Sequence, residues 1–175
     1  MAYTSKSIVS LTSHQHLLKR LSLTFGPESG GEFSSQKTVA VREIVDNATD
    51  EVMAGFGDRV RVQFFDDGSV AVQDSGRGIP VDKSRDASGR EVSGIVKCLG
   101  IIQSGGKFGS GASYSAGLNG VGASSTIHCS KRADVTVFRG GKRYSVSFAD
   151  GVPGFFDKRG KFCLLYTSPS PRDLS

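Results

Sequence analysis

Glu43, Asn47 and Asp50 stand at i, i+4 and i+7 in the run Val41-Arg42-Glu43-Ile44-Val45-Asp46-Asn47-Ala48-Thr49-Asp50-Glu51. At about 3.6 residues per turn these three share one helical face, with Ile44, Val45, Ala48 and Val52 as an apolar stripe beside them. A second run, Val72-Gln73-Asp74-Ser75-Gly76-Arg77-Gly78-Ile79-Pro80, reads as a strand that breaks into a glycine-rich turn. A positioned carboxylate such as Glu43 can orient and activate a water for attack on a phosphate. A neutral side-chain carbonyl such as that of Asn47 suits Mg²⁺, which keeps most of its waters and binds phosphates. Asp74, at a strand end, can accept a hydrogen bond from the exocyclic amine of adenine. Gly76 and Gly78 would let the backbone approach the base closely, and Ile79 and Pro80 would cover the ring. Ile95 is either a pocket-lining residue or a core residue. Together these groups could hold a purine nucleotide with Mg²⁺.

Two further stretches carry phosphate chemistry. Gly117-Leu118-Asn119-Gly120-Val121-Gly122 precedes a predicted helix. Backbone N–H groups at a helix N-terminus make an anion site, and glycine lets the chain touch phosphate oxygens. Gly117, Leu118, Asn119, Gly120, Val121 and Gly122 are therefore candidate phosphate contacts. Gly105-Gly106-Lys107-Phe108 offers Lys107 as a point charge for a phosphate. Tyr114, in the same glycine-rich stretch, is a weaker candidate.

In this order and spacing, from residue 3 to residue 153, the motifs resemble the GHKL ATPases, whose members include type II topoisomerases, MutL, heat-shock chaperone ATPases and sensor histidine kinases. Asp74-Ser75-Gly76-Arg77-Gly78-Ile79-Pro80 and Gly106-Lys107-Phe108 are most similar to the ATPase domain of the DNA gyrase B subunit or its topoisomerase IV counterpart. The resemblance implies an α+β GHKL (Bergerat) ATP-binding sandwich, with helices on one face of a mixed β-sheet, C-terminally incomplete. It implies ATP and Mg²⁺ as cofactors, Glu43 as the general base, Asn47 on the metal and Asp74 on adenine. It also implies that Arg77 pairs with Asp50 or Glu51, and that the parent enzyme changes DNA topology at the expense of ATP. In the family, ATP closes two protomers into a homodimer, and an N-terminal arm crosses to the partner's nucleotide. Tyr3-Thr4-Ser5-Lys6-Ser7-Ile8 and Leu11 match that arm, so Tyr3 would act in trans. DNA and a DNA-cleaving subunit would be the other partners.

The chain also departs from the family pattern. Val39 stands where a His often precedes the base, and Asn119 where a His is common. The lid is one residue longer between Lys107 and Tyr114 and shorter from Tyr114 to Leu118. Lys19-Arg20-Leu21-Ser22 replaces a Lys-Arg-Pro-Gly turn. Two competing readings are another GHKL ATPase, of chaperone or mismatch-repair type, and a degenerate nucleotide-binding module. The topoisomerase-like strings oppose the first and an intact Glu43 opposes the second.

The elements that must position these groups follow from pattern. Residues 12–25 hold a short helical pattern with Ser13 as a candidate N-cap, and residues 27–35 form a loop. A helix is predicted over 37–55, closed by Gly55 or Gly57. Alternation predicts strands over 59–65 and 69–74, joined by Asp66-Asp67-Gly68. Residues 81–90 read as polar loop, 91–103 as helix, 104–120 as a lid and 121–131 as helix. A hairpin over 133–138 and 142–148 turns at Gly140-Gly141.

Composition bounds the rest. A chain of 175 residues, 22% charged and 37% hydrophobic, suits one globular domain with a real core. Its 23 glycines are nearly twice the usual share of about 7%, and many fall in the predicted phosphate loops. A net charge of +5 suits nucleotide or nucleic acid. Cys98, Cys129 and Cys163 have neither metal nor disulfide spacing, and no apolar run approaches the ~20 residues of a membrane span. A cytoplasmic protein with no membrane partner is expected. The tail from Cys163 to Ser175 lacks periodicity, and it can be encoded by a DNA string resembling a transposon-type sequencing adapter. The expected organisation is therefore an arm over 1–11, a partial ATPase domain over 12–162, and a non-native tail over 163–175.

Overall fold

The computed structural model describes residues 13–19, 21–26, 36–86, 89–102 and 122–164. Two short helices, α1 (Ser13–Leu18) and α2 (Leu21–Phe25), occupy the predicted helical segment, and α1 begins at Ser13 itself. The side-chain amide of Gln36 donates to the Gly26 carbonyl at 3.1 Å and links the end of α2 to the next helix. That helix, α3 (Gln36–Met53), is the long element of the fold and matches the predicted span within two residues at each end.

The α3 helix packs on a hairpin of β1 (Val60–Phe64) and β2 (Val70–Asp74). Val60, Val62, Val70 and Val72 are half-buried while Arg61, Gln63, Ala71 and Gln73 are exposed, the period-two alternation that marks a half-covered ribbon. Gly68, at φ +79°, and an Asp67 carboxylate accepting from the Ser69 N–H at 2.9 Å shape its turn.

Residues 81–90, expected as loop, contain β3 (Lys83–Arg85), and the predicted helix over 91–103 starts late, after β4 (Glu91–Ser93). The two form a small antiparallel hairpin. Val92 is β-branched and 3% exposed, which favours a strand there. Ser93 then accepts a hydrogen bond from the Val96 N–H at 3.3 Å and caps α4 (Gly94–Gly100). The side-chain oxygen that ends the strand thus starts the helix.

After α5 (Gly122–Cys129) come β5 (Arg132–Arg139) and β6 (Lys142–Ala149), joined at Gly140 and Gly141, both at positive φ as a two-residue hairpin turn requires. Next are β7 (Val152–Phe156) and β8 (Phe162–Leu164), in a four-stranded sheet of order β5-β6-β7-β8. Every ladder among the described residues is antiparallel. β8 crosses the expected domain boundary: Cys163 pairs with Phe155 and Leu164 with Gly154.

The core lies between this sheet and helices α4 and α5. Val92, Ile95, Val96, Leu99, Ile127, Val137, Val146 and Phe148 form one buried cluster. Asp134, Thr136, Phe138 and Ser145 face solvent on the other side of the sheet. The architecture is α+β, with α4 and α5 on one sheet face and α3 beside α5.

Candidate functional site

On its face toward α5 the α3 helix is polar at two successive turns. Glu43 and Asn47 are both half-buried there. The Asn47 amide nitrogen donates to the Glu43 backbone carbonyl at 2.5 Å, which orients the side chain and leaves its carbonyl oxygen as the outward end. Burial pushes the Glu43 carboxyl up, the neighbouring Asp46 carboxylate adds to this, and Arg42 partly offsets it. A raised carboxylate is a stronger base toward a water.

Gly122, the first residue of α5, lies against that carboxylate: a Cβ built on it would overlap Glu43 Oε2. The predicted phosphate-loop glycine and the predicted base are therefore in contact, although 79 residues separate them in sequence. Further along the same helix pair, the Thr126 hydroxyl lies 3.0 Å from both the Ala40 and the Gly122 carbonyls and ties α5 to α3.

The Asp74 to Pro80 loop is held on α3 from below. Arg77 makes a forked pair with Glu51, Nη2 to Oε1 at 2.8 Å and Nε to Oε2 at 3.1 Å, so of the two expected acids Glu51 is the partner. The Arg77 side-chain bond, with the Arg77 backbone N–H and charge behind it, holds the Glu51 carboxyl below its ordinary range despite partial burial. The same guanidinium lies 3.4 Å from the centre of the Phe56 ring. Gly76 has Asp74 Oδ1 on one side and the Glu51 stem on the other, each 2.8 Å from where a Cβ would stand. Asp74 is exposed, and its Oδ1 accepts from the Gly76 N–H at 2.8 Å. Among the described residues Oδ2 has no hydrogen-bond donor, so one carboxylate oxygen can meet a ligand.

Gly78, at φ +72°, packs on β5, with Val137 Cγ1 2.8 Å and the Phe138 carbonyl 3.1 Å from its missing Cβ. Arg139 Nη1 reaches back from β5 to the Gly78 carbonyl at 2.6 Å and the Arg77 carbonyl at 3.3 Å. Ile79 packs against the core cluster, and the Pro80 carbonyl fills the space where a Cβ on Gly94 would be. Ile95 is 2% exposed and is a member of the core cluster, the second of the two readings open for it. Lys107, Tyr114, Gly117, Leu118, Asn119, Gly120, Val121 and Tyr3 lie outside the described residues.

Among the described residues no three His, Cys, Asp or Glu gather as a metal site. A cation here would take one protein oxygen, from Asn47, and complete its shell with phosphates and water, which fits Mg²⁺ better than a transition metal. Burial raises the Cys98 and Cys129 thiols, so neither is a ready nucleophile. No helix among the described residues is long and apolar enough to cross a membrane. Sequence reasoning missed Arg139 and Phe56, since an arginine before a Gly-Gly turn and a phenylalanine after a helix carry no local signal.

Residues 36–153 match the family described as Histidine kinase-, DNA gyrase B-, and HSP90-like ATPase. The chain is 41% identical over 162 residues to topoisomerase subunit TopoN of Mycolicibacterium smegmatis, covering 90% of this chain and 22% of that protein. It is 40% identical over 141 residues to the DNA gyrase B subunit of Chlamydia muridarum, covering 74% of this chain and 18% of that protein. The chain thus spans about a fifth of the length of these relatives. Its fold is similar to the 43K ATPase domain of Thermus thermophilus gyrase B, solved with an aminocoumarin. The TM-score is 0.62 at 26% identity, covering 91% of this chain and 36% of that one.

Proposed function

The chain belongs to the histidine kinase-, DNA gyrase B- and HSP90-like ATPase family, and from that premise we propose that it is the ATP-binding part of a type II DNA topoisomerase subunit. The observation that carries the reading is the contact of three separate segments. Glu43 of α3, whose backbone carbonyl holds the Asn47 amide, meets the first residue of α5, while Glu51 of α3 grips the loop that carries Asp74. That contact supports reading the three as a base, a metal ligand and a base-reading carboxylate held on one framework. The relatives, a topoisomerase subunit and a gyrase B subunit, favour a topoisomerase parent over a chaperone or repair ATPase.

In this reading Asp74 accepts from the adenine amine, and the Gly76 to Gly78 backbone lies beside the base. Glu43 takes the proton of the water that attacks the terminal phosphate, its raised basicity favouring the transfer. Asn47 holds Mg²⁺, which when bound neutralises charge on the phosphate oxygens. Lys107 and the segment from Gly117 to Gly122 contact the phosphates, and Tyr114 supports them from the lid. Residues 1–11 form an arm that brings Tyr3 to the partner's nucleotide in a homodimer, and DNA with a DNA-cleaving subunit completes the assembly.

Calorimetric titration of the chain with a non-hydrolysable ATP analogue and Mg²⁺, against the guanine analogue, tests this. Binding of adenine in preference to guanine, weakened in Asp74→Asn at unchanged thermal stability, is the expected outcome. Equal affinity for the two bases would defeat the role of Asp74.

A further inference from the structure

The loop from Asp74 to Pro80 is gripped from below by Glu51, and the structure shows a second grip from above. Gly78, at positive φ, lies past the end of β2 and takes no part in the β1–β2 ladder. The next strand available to it, β5, comes so close that the Phe138 carbonyl stands 3.1 Å from the missing Gly78 Cβ, yet no ladder joins the two. A backbone carbonyl that no ladder satisfies needs a donor from elsewhere. Arg139, the last residue of β5, supplies it: one guanidinium nitrogen donates to both the Gly78 and the Arg77 carbonyls. Its charge also adds to that of Arg77 in keeping Glu51 ionised. Lower and upper grips therefore meet at Arg77.

We infer that Arg139 is a positioning residue for the base-reading loop, fixing the backbone of Arg77 and Gly78 between α3 and β5 so that Asp74 and Gly76 present a formed surface to the adenine. This rests on the reading of Asp74 as the residue that meets the base. Arg139 is exposed at the rim, so its bonds compete with water and its loss should leave the fold intact. The effect falls on the loop and on nucleotide affinity, and not on the Glu43 step.

Arg139→Ala and Arg139→Lys in the 175-residue chain test this by two readouts. Amide exchange in the nucleotide-free chain should quicken roughly tenfold at Gly78 and Ile79 in the alanine variant, while Val62 and Val72 keep their protection. Titration with the non-hydrolysable ATP analogue and Mg²⁺ should show roughly 3- to 10-fold weaker binding. Lysine, which keeps a charged donor, should restore at least half of each loss. Unchanged exchange in the alanine variant overturns the inference, as does faster exchange with unchanged affinity. A lysine variant as impaired as alanine overturns the hydrogen-bond account. If the unmodified chain binds no adenine nucleotide, the reading of the site fails, and the exchange arm still decides whether Arg139 holds the loop.

Discussion

Glu43 joins two physical requirements that pull against each other. Burial and Asp46 raise its carboxyl, which strengthens it as a base but costs the native state on ionisation. The sign follows directly. The protonated folded form is favoured below the ordinary glutamate range, and that advantage is lost as pH rises through the raised value. Hydrolysis needs the ionised form, so in any hydrolysing preparation kcat should fall as pH drops through the raised value of Glu43. Asp46→Asn, which removes the second cause of the shift, should move that acid limb to lower pH in a steady-state phosphate-release assay. Glu43→Gln should keep nucleotide binding and lower kcat by roughly 10²–10⁴-fold. Gly122→Ala should lower kcat too, because its methyl needs the space of the Glu43 carboxylate. A Gly122→Ala protein with full activity would show that the carboxylate can be displaced without consequence. Glu43, Asn47 and Asp74 are legible in the sequence because helical period and the strand-to-glycine break place them without tertiary information. Arg139 is not, because its partners lie 61 and 62 residues away.

At the scale of elements, α3 is held to the loop after β2 by an ion pair whose ends are 30% and 52% exposed. Water screens such a pair, so Glu51→Gln should cost only about 0.5–1 kcal/mol at neutral pH by chemical denaturation. Folded Glu51 titrates below its unfolded counterpart. The contribution is fully present above the ordinary glutamate range and lost as pH falls through the lowered value. The gap between Glu51→Gln and the unmodified protein should close toward acid, and a gap independent of pH would mean that the charge is not what stabilises. Among the predicted elements that the structure reproduces, those with strong period stand out: α3, the β1–β2 ribbon, and the β5–β6 hairpin with its Gly-Gly turn. The pair β3 and β4 is not legible because Lys83-Ser84-Arg85 has no apolar alternation, and each strand holds three residues. Its partner run reads as helix in sequence because Val92 and Ile95 fit a helical stripe as well as a strand end.

At the scale of the molecule, stability should rest on the junction of β6 with α4. Phe148 is 0% exposed within the core cluster, and one of its ring carbons lies 3.0 Å from where a Gly100 Cβ would be. Phe148→Ala should cost about 3–5 kcal/mol, a large part of the roughly 5–15 kcal/mol available to a domain. Thermal melting would read this as a large downward shift. The edge of the sheet offers a finer test. Truncation after Lys161 removes β8 and its three register pairs with β7 and should lower the melting temperature. Truncation after Leu164 keeps them and should not. Equal melting of both forms would show that β8 contributes nothing.

The stack of Arg77 on Phe56 has an optical consequence. The chain has no tryptophan, so it is nearly silent in the emission band used to follow binding. Phe56 is 47% exposed and its ring faces the guanidinium that ties the Asp74 to Pro80 loop to α3. Indole is the stronger partner for such a cation, so Phe56→Trp should be accepted there without loss of the stack. The protein would then carry a single tryptophan at the hinge of that loop. Its emission would change whenever Arg77 leaves the ring, and stopped-flow mixing with nucleotide could time the movement directly.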